Sequence, residues 1–111
     1  MARSRETPAE VERWFRKRLA ELWPVATGCL SLRRSPCVRP NCQACATGEQ
    51  HASYVLYGRR ENGRRFALYV PAELVADVRQ AVENGRRLQA LMSEAGRRYT
   101  EARKHERRRR R

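Results

Sequence analysis

The spacing of apolar residues predicts a helix near the start of the chain. Thr7 and Pro8 have the character of a helix N-cap and a first-turn proline. The apolar positions that follow recur at helical spacing: Val11, Trp14, Phe15, Leu19, Leu22 and Trp23. We therefore expect a helix that ends at Pro24 and turns its tryptophans and Phe15 towards a core. The alternative is an exposed aromatic face that stacks on bases, which would require these rings to lie in solvent.

Three short apolar segments in the middle of the chain have the character of β-strands. They cover residues 25–34, 54–57 and 66–70, and each contains alternating or β-branched and aromatic residues. Asn62-Gly63 lies between the last two segments and is a typical hairpin turn signal. The first strand runs into a loop rich in cysteine.

A long C-terminal helix is predicted from Pro71, with Glu73 and Asp77 favoured by the helix dipole near its start. Its main apolar stripe contains Leu74, Val78, Ala81, Gly85, Leu88, Met92, Ala95 and Tyr99, and Val75, Val82 and Leu91 broaden it. The first half should cover the sheet, because a lone hairpin cannot bury itself. The second half extends further, which favours a homodimer or a partner protein bound through this helix.

These elements predict the α+β class, with an N-terminal helix, a small three-stranded antiparallel sheet and a long C-terminal helix. We divide the chain into an amphipathic N-terminal helix (1–24), a domain built from the cysteine loop, hairpin and long helix (25–100), and a basic tail (101–111). No apolar run is long enough for a membrane span, so no membrane partner is expected.

The net charge is the property of the composition that says most about a binding partner. Its 111 residues include 25 Lys plus Arg against 12 Asp plus Glu, a net charge of +13 with a pI near 11.1. Arginine suits bidentate contacts with phosphate, so nucleic acid is the first expected partner and an anionic membrane surface the second. A high-GC genome would also enrich arginine, which leaves part of the excess without a functional meaning.

The candidate nucleic-acid contacts are arginines in three places: the cysteine loop, the hairpin and the tail. They are Arg39, Arg59, Arg60, Arg64, Arg65, Arg107, Arg108, Arg109, Arg110 and Arg111. A merely solvated turn is the alternative for the hairpin. Self-repulsion among the last five arginines predicts that the end of the chain is frayed.

Cysteines at Cys-x4-Cys-x2-Cys spacing, followed by a histidine, indicate a zinc knuckle. Cys37, Cys42, Cys45 and His51 supply the four ligands of a closed structural Zn²⁺ site. Cys29 competes with His51 for the fourth position, and an exogenous ligand there would leave an open site. The alternatives to a zinc site are that the cysteines form disulfides or remain free thiols. The N-terminus lacks an apolar signal segment, so we expect reduced thiols and a cytoplasmic location.

We expect no enzymatic activity. A nucleophilic cysteine needs a base and an orienting group, and the two histidines are a zinc-ligand candidate and a residue of the basic tail. No glycine-rich phosphate loop and no paired acidic cluster is present in the sequence.

The region from about residue 29 to residue 95 resembles an uncharacterised prokaryotic family of domains of unknown function. That family has a Cys-Gly-Lys-Pro-Asn-Cys type motif, a following His and a Tyr-x-Leu strand. Here the corresponding segments are residues 37–51, 54–56, 69–74 and 84–88. Val38 and Arg39 stand where the family usually has Gly and Lys. The resemblance implies the zinc loop and the fold, and it favours His51 over Cys29, but it implies no activity.

The sequence thus predicts a small zinc protein that binds DNA or RNA through arginine–phosphate contacts. The alternative is a protein–protein interaction module, for example an accessory factor of a mobile-element recombinase or transposase, that does not touch nucleic acid.

Overall fold

The computed structural model describes residues 5–35 and 51–109. Helix α1 (Pro8–Leu19) precedes strands β1 (Cys29–Ser35), β2 (His51–Arg59) and β3 (Arg65–Val70), and a turn of 3-10 helix (Ala72–Leu74) leads into helix α2 (Val75–Arg109). This order confirms the predicted α+β class. The chain forms two compact units: one contains the residues up to Val25 and those from Asn84 onward, and the other contains Ala26–Glu83.

The sheet of the second unit is antiparallel, with β2 between β1 and β3. The β1–β2 ladder runs from the pair Cys29–Tyr57 at one end to the pair Ser35–His51 at the other. The β2–β3 ladder ends at Arg59, which lies directly opposite Arg65. The cysteine loop and the β2–β3 turn therefore leave the sheet from opposite ends of β2.

The register places alternate residues on two different faces of the sheet. The apolar face carries Leu30, Leu32, Arg34, Ala52, Tyr54, Leu56, Gly58, Phe66, Leu68 and Val70. On this face Val70 is buried, and the guanidinium of Arg79 in α2 lies 5.8 Å from the ring centroid of Tyr54. The start of α2 thus lies against part of the apolar face. Leu32 and Leu68 on this face are 46% and 55% exposed, so the prediction that the helix covers the sheet is confirmed only in part.

The chain enters β1 through Gly28, whose φ of +129° is a conformation that L side chains rarely adopt. A Cβ atom here would collide with the carbonyl oxygen of Tyr57. Just before it, the Ala26 N–H donates a 2.9 Å hydrogen bond to the Ala81 carbonyl of α2. Glycine therefore lets the first strand approach β2 closely while the preceding segment stays tied to the helix.

The predicted start of α1 is confirmed, but its predicted end is wrong. Thr7 caps the helix, its hydroxyl oxygen accepting a 3.2 Å hydrogen bond from the Glu10 N–H. The helix ends at Leu19 rather than at Pro24, and Leu22 N–H donates back to the Leu19 carbonyl in a tighter turn. A proline disfavours helical geometry only in the residue before it, here Trp23, so Pro24 does not account for an end as early as Leu19.

Because α1 ends at Leu19, Trp23 lies outside the helix. Val11 is buried and Trp14 is half-buried, as the apolar stripe predicted. Trp23 is 81% exposed, so the prediction that it faces the core is wrong. The residues after Leu19 are not part of the helix, so the helical spacing of apolar residues does not predict which of them are buried.

The buried positions of α2 belong partly to the predicted stripe. Ala81 of the main stripe is buried, as are Val75, Val82 and Leu91, which broaden it. Met92 and Tyr99 of the main stripe are instead 57% and 50% exposed. Asn84 is also buried, and its amide donates a 2.8 Å hydrogen bond to the Pro24 carbonyl within the first unit. Among the residues described, no helix is long and apolar enough to cross a membrane.

The C-terminal part of α2 continues as helix to Arg109, so the expected fraying is not observed at residues 101–109. Carboxylates interleaved with the arginines explain this. Arg97 pairs with Glu94 at 2.7 Å and with Glu101 at 3.1 Å, and Arg103 lies 3.6 Å from Glu106. Such pairs, three and four residues apart on a helix, offset repulsion between like charges.

Arg98 joins the two helical segments of the first unit. Its guanidinium makes two hydrogen bonds with the Glu6 carboxylate, at 2.8 and 2.5 Å, and lies 3.9 Å from the ring centroid of Trp14. The hydrogen bond from Arg98 lowers the pKa of Glu6, partial burial opposes this, and attraction to Arg98 and Arg97 adds to it. The planar guanidinium therefore makes a forked ion pair and an aromatic contact at once.

Replacing Arg98 with lysine should lower the free energy of unfolding by about 1 kcal/mol at neutral pH, because lysine cannot make the forked pair and the planar stack together. Because the folded-state pKa of Glu6 is lowered, the ion pair stabilises above the unfolded-state pKa and is lost as the pH falls through the folded-state value. The difference between wild type and variant should therefore shrink in acid. Urea unfolding of both proteins across pH measures it.

The matched control is Arg97→Lys, which removes a guanidinium whose ion pairs are more exposed. We expect a smaller loss in this control. Equal losses at Arg97 and Arg98 would contradict the role assigned to the Trp14 and Glu6 contacts.

Candidate nucleic-acid interface

The β2–β3 turn is closed by backbone and side-chain hydrogen bonds that fix its geometry. The Arg60 N–H donates to the Arg64 carbonyl at 2.8 Å, and the Gly63 N–H donates to the Arg60 carbonyl at 2.9 Å. The side-chain oxygen of Asn62 accepts from the Arg64 N–H at 3.0 Å. Gly63 has a φ of +85°, which glycine adopts readily. The turn predicted from Asn62-Gly63 is thereby confirmed.

This turn brings together four exposed arginines, here called the arginine tip: Arg59, Arg60, Arg64 and Arg65. Arg59 and Arg65 lie directly opposite each other across the two strands. Like charges in that relation destabilise a hairpin. The Arg59 guanidinium donates a 3.1 Å hydrogen bond to the Gly63 carbonyl, which supplies a dipole but no counter-charge.

None of the four arginines of the tip forms an ion pair with a carboxylate among the residues described. Several helical arginines do form such pairs, among them Arg16–Glu12, Arg97–Glu94, Arg98–Glu6 and Arg103–Glu106. The strands and the turn between β2 and β3 carry six arginines and one carboxylate, Glu61. The positive charge of the tip is therefore available to an anion from outside the chain.

The predicted zinc loop leaves the sheet at the other end of β2. Cys37, Arg39, Cys42 and Cys45 lie outside the described residues, and His51 is the first residue of β2. The backbone pair of Ser35 and His51 holds the two ends of the loop about 5 Å apart. Within the described ranges, no three His, Cys, Asp or Glu side chains lie together as a metal site would require.

Cys29, the competing ligand, starts β1 and is paired with Tyr57 at the end of the ladder remote from His51. It is exposed, and its sulfur lies 3.4 Å from the Ser31 hydroxyl. The structure therefore separates Cys29 from His51 by the length of a strand.

The predicted tail contacts lie at the end of α2. Arg107 and Arg108 are exposed on its last turn, Arg109 is its last residue, and Arg110 and Arg111 lie outside the described part of the chain. The tail arginines belong to the first unit, and the arginine tip belongs to the second.

Arg33 is a candidate contact that the sequence prediction missed. It is exposed on β1, and its guanidinium donates a 2.9 Å hydrogen bond to the Tyr57 hydroxyl of β2. The two residues lie on the same face of the sheet as Arg59 and Arg65. The period-two alternation of strand residues could have indicated this, once the register of β1 against β2 was known.

The family model for a domain of unknown function, DUF6788, matches residues 8–80, which is more than half of the chain. The chain belongs to the DUF6788 family. The match begins at Pro8 and so includes α1, whereas the sequence resemblance was expected over about residues 29–95. The DUF6788 description names no activity, and comparison with curated proteins and with solved structures gives no match.

Changing Arg65 to glutamate should raise the free energy of unfolding by roughly 0.5 kcal/mol, because an opposite-charge pair with Arg59 replaces a like-charge pair. Thermal or urea unfolding of the purified variant measures this. Arg34→Glu is the matched control, since it makes the same charge change on β1 opposite Ala52. Equal stabilisation by both variants would show that general charge, rather than the cross-strand pair, is responsible.

Proposed function

We propose that this DUF6788 protein is a non-catalytic nucleic-acid-binding protein whose arginine tip contacts phosphates and whose cysteine loop holds a structural zinc ion. Arg39 and the arginines at the end of α2 add further phosphate contacts. These contacts position the backbone of DNA or RNA and do not by themselves read its sequence.

The observation that supports nucleic-acid binding most is the like-charge pair of Arg59 and Arg65. A hairpin that places two guanidinium groups opposite each other, neither of them ion-paired with a described carboxylate, carries a repulsion that folding alone does not require. Phosphate groups would relieve that repulsion and accept forked hydrogen bonds from the same side chains.

The zinc part of the proposal is supported by the ladder that closes the cysteine loop. Three thiols in a loop whose ends are held together need less ordering to converge on one ion than they would in an open chain. His51 belongs to the closing pair, and Cys37 follows Ser35 by two residues. Cysteine sulfur and histidine nitrogen are the donors that tetrahedral Zn²⁺ prefers. A bound zinc ion would fix the loop and the position of Arg39.

The register also favours His51 over Cys29 as the fourth ligand. Six residues of strand separate Cys29 from Ser35 by about 20 Å. His51 is paired with Ser35, where the cysteine loop leaves the sheet, so it lies much closer to the ends of that loop than Cys29 does.

A salt titration tests the arginine tip. The affinity for duplex DNA, measured by fluorescence anisotropy, should fall steeply with salt, and Arg60→Gln with Arg64→Gln should reduce the logarithmic slope by about 1.8, since each phosphate contact on a duplex contributes about 0.9. Arg13→Gln with Arg16→Gln removes the same charge from exposed positions of α1 and is the control. We expect the control to keep most of the slope.

Two results would contradict this interface. If both double variants reduce the salt dependence of the affinity by the same amount, binding depends on net charge and not on the hairpin. If the wild-type protein does not bind at low salt, nucleic-acid binding itself is wrong.

Metal analysis of the purified protein tests the zinc site. We expect about one zinc ion per chain in the wild type, and its loss in Cys42→Ser, because a closed structural site needs all four ligands. Cys29→Ser is the control and should keep the metal. Zinc that is retained in Cys42→Ser, or lost in Cys29→Ser, would show that the ligand set is wrong.

A second candidate function is a protein interaction module without nucleic-acid binding. It is favoured by one feature of α2, the exposed Met92 and Tyr99 on a stripe that also contains half-buried Leu88 and Ala95. These four residues recur at spacings of four and three, which is typical of a helix that packs against another helix. The salt titration distinguishes the two functions, since this candidate requires no binding to the duplex.

A further inference from the structure

One face of the sheet combines arginines with tyrosines and carries no acidic residue among those described. We call it the arginine–tyrosine face, and its members are Cys29, Ser31, Arg33, Ser53, Val55, Tyr57, Arg59, Arg65, Ala67 and Tyr69. It is opposite the apolar face that receives α2. None of these residues is buried.

Tyr69 is the clearest feature of this face. It is 68% exposed, whereas Val70, the next residue of β3, is 5% exposed on the opposite face. Tyr69 lies directly across from Val55, and Tyr57 lies across from Ala67, so the two tyrosines are diagonal neighbours about 7–8 Å apart. Two aromatic rings thus stand on adjacent strands of an open face, separated by small or β-branched residues.

Arg33 is held on this face by its 2.9 Å hydrogen bond to the Tyr57 hydroxyl. Arg59 and Arg65 stand on the same face where it meets the β2–β3 turn. The tyrosines are therefore bordered by guanidinium groups on both outer strands. A base that stacks on an aromatic ring would have its own phosphate within the region that these arginines make positive.

We propose that the arginine–tyrosine face binds single-stranded nucleic acid, with unpaired bases stacked on Tyr69 and Tyr57 and the backbone held by Arg33, Arg59 and Arg65. The inference rests on the proposed nucleic-acid binding and names its substrate class. Aromatic side chains offer stacking surfaces to any base, so little sequence preference is expected. In a duplex the flat faces of the bases are already covered by their neighbours, so a duplex cannot use this surface.

Charge and stacking predict opposite preferences, which makes the substrate class testable. A duplex has the higher charge density, so phosphate contacts alone would favour it. Stacking on Tyr69 would favour the single strand. The decisive comparison is the affinity of the full chain for a labelled oligodeoxythymidylate and for the duplex of that strand with its complement, at the same salt concentration.

We expect tighter binding of the single strand. Tyr69→Ala should weaken that binding about 5- to 100-fold, as expected for the loss of one stacked base. Tyr69→Phe keeps the ring and should retain nearly full affinity. The salt dependence should be unchanged in both variants, because the phosphate contacts are intact. Trp23→Ala is the control, since it removes an exposed aromatic ring that lies outside the sheet, and it should have no effect.

Three results would overturn the inference. If the duplex binds at least as tightly and Tyr69→Ala binds like the wild type, while the steep salt dependence remains, stacking is wrong and phosphate binding by the arginines stands. If Tyr69→Phe loses as much affinity as Tyr69→Ala, the flat ring is not the contact. If neither strand form binds at low salt, this inference and the proposed function both fail.

Discussion

The antiparallel pairing of β1 with β2 is the constraint on which the rest of the second unit depends. It sets the register that separates an apolar face from an arginine–tyrosine face, since a shift by one residue would exchange the two. It also pairs Ser35 with His51, and so fixes both ends of the cysteine loop. The same ladder therefore determines what packs on α2, what remains in solvent and where a metal ion could be held.

Charge is distributed differently over the two compact units. In the first, Arg98 and Arg97 are matched with carboxylates, and such pairs let a strongly basic segment remain helical as far as Arg109. In the second, Arg59 and Arg65 face each other without such a match among the described residues. Basic residues can thus stabilise the fold in one unit and remain available for binding in the other, and local pairing with carboxylates decides which.

Much of the fold could be predicted because it follows from local signals. Thr7 and Pro8 mark a helix start, Asn62-Gly63 marks a turn, and each acts through neighbouring atoms. The position of Trp23 could not be predicted, because helical periodicity does not show where the helix ends. The arginine tip could be predicted from the Asn62-Gly63 turn alone, because its four arginines flank that turn in the sequence. Arg33 and Tyr69 needed the strand register, which is a non-local property that hydrophobic alternation within one strand does not supply.

The glycine at position 28 also predicts which residue related chains carry at this position. Its backbone conformation and the nearness of the Tyr57 carbonyl leave room for nothing larger than a hydrogen atom. The residue lies inside the region shared with the DUF6788 family. Relatives that keep the pairing of β1 with β2 should therefore carry glycine at the position of Gly28, even where the neighbouring residues differ. A relative with another residue there must have a different backbone path into its first strand.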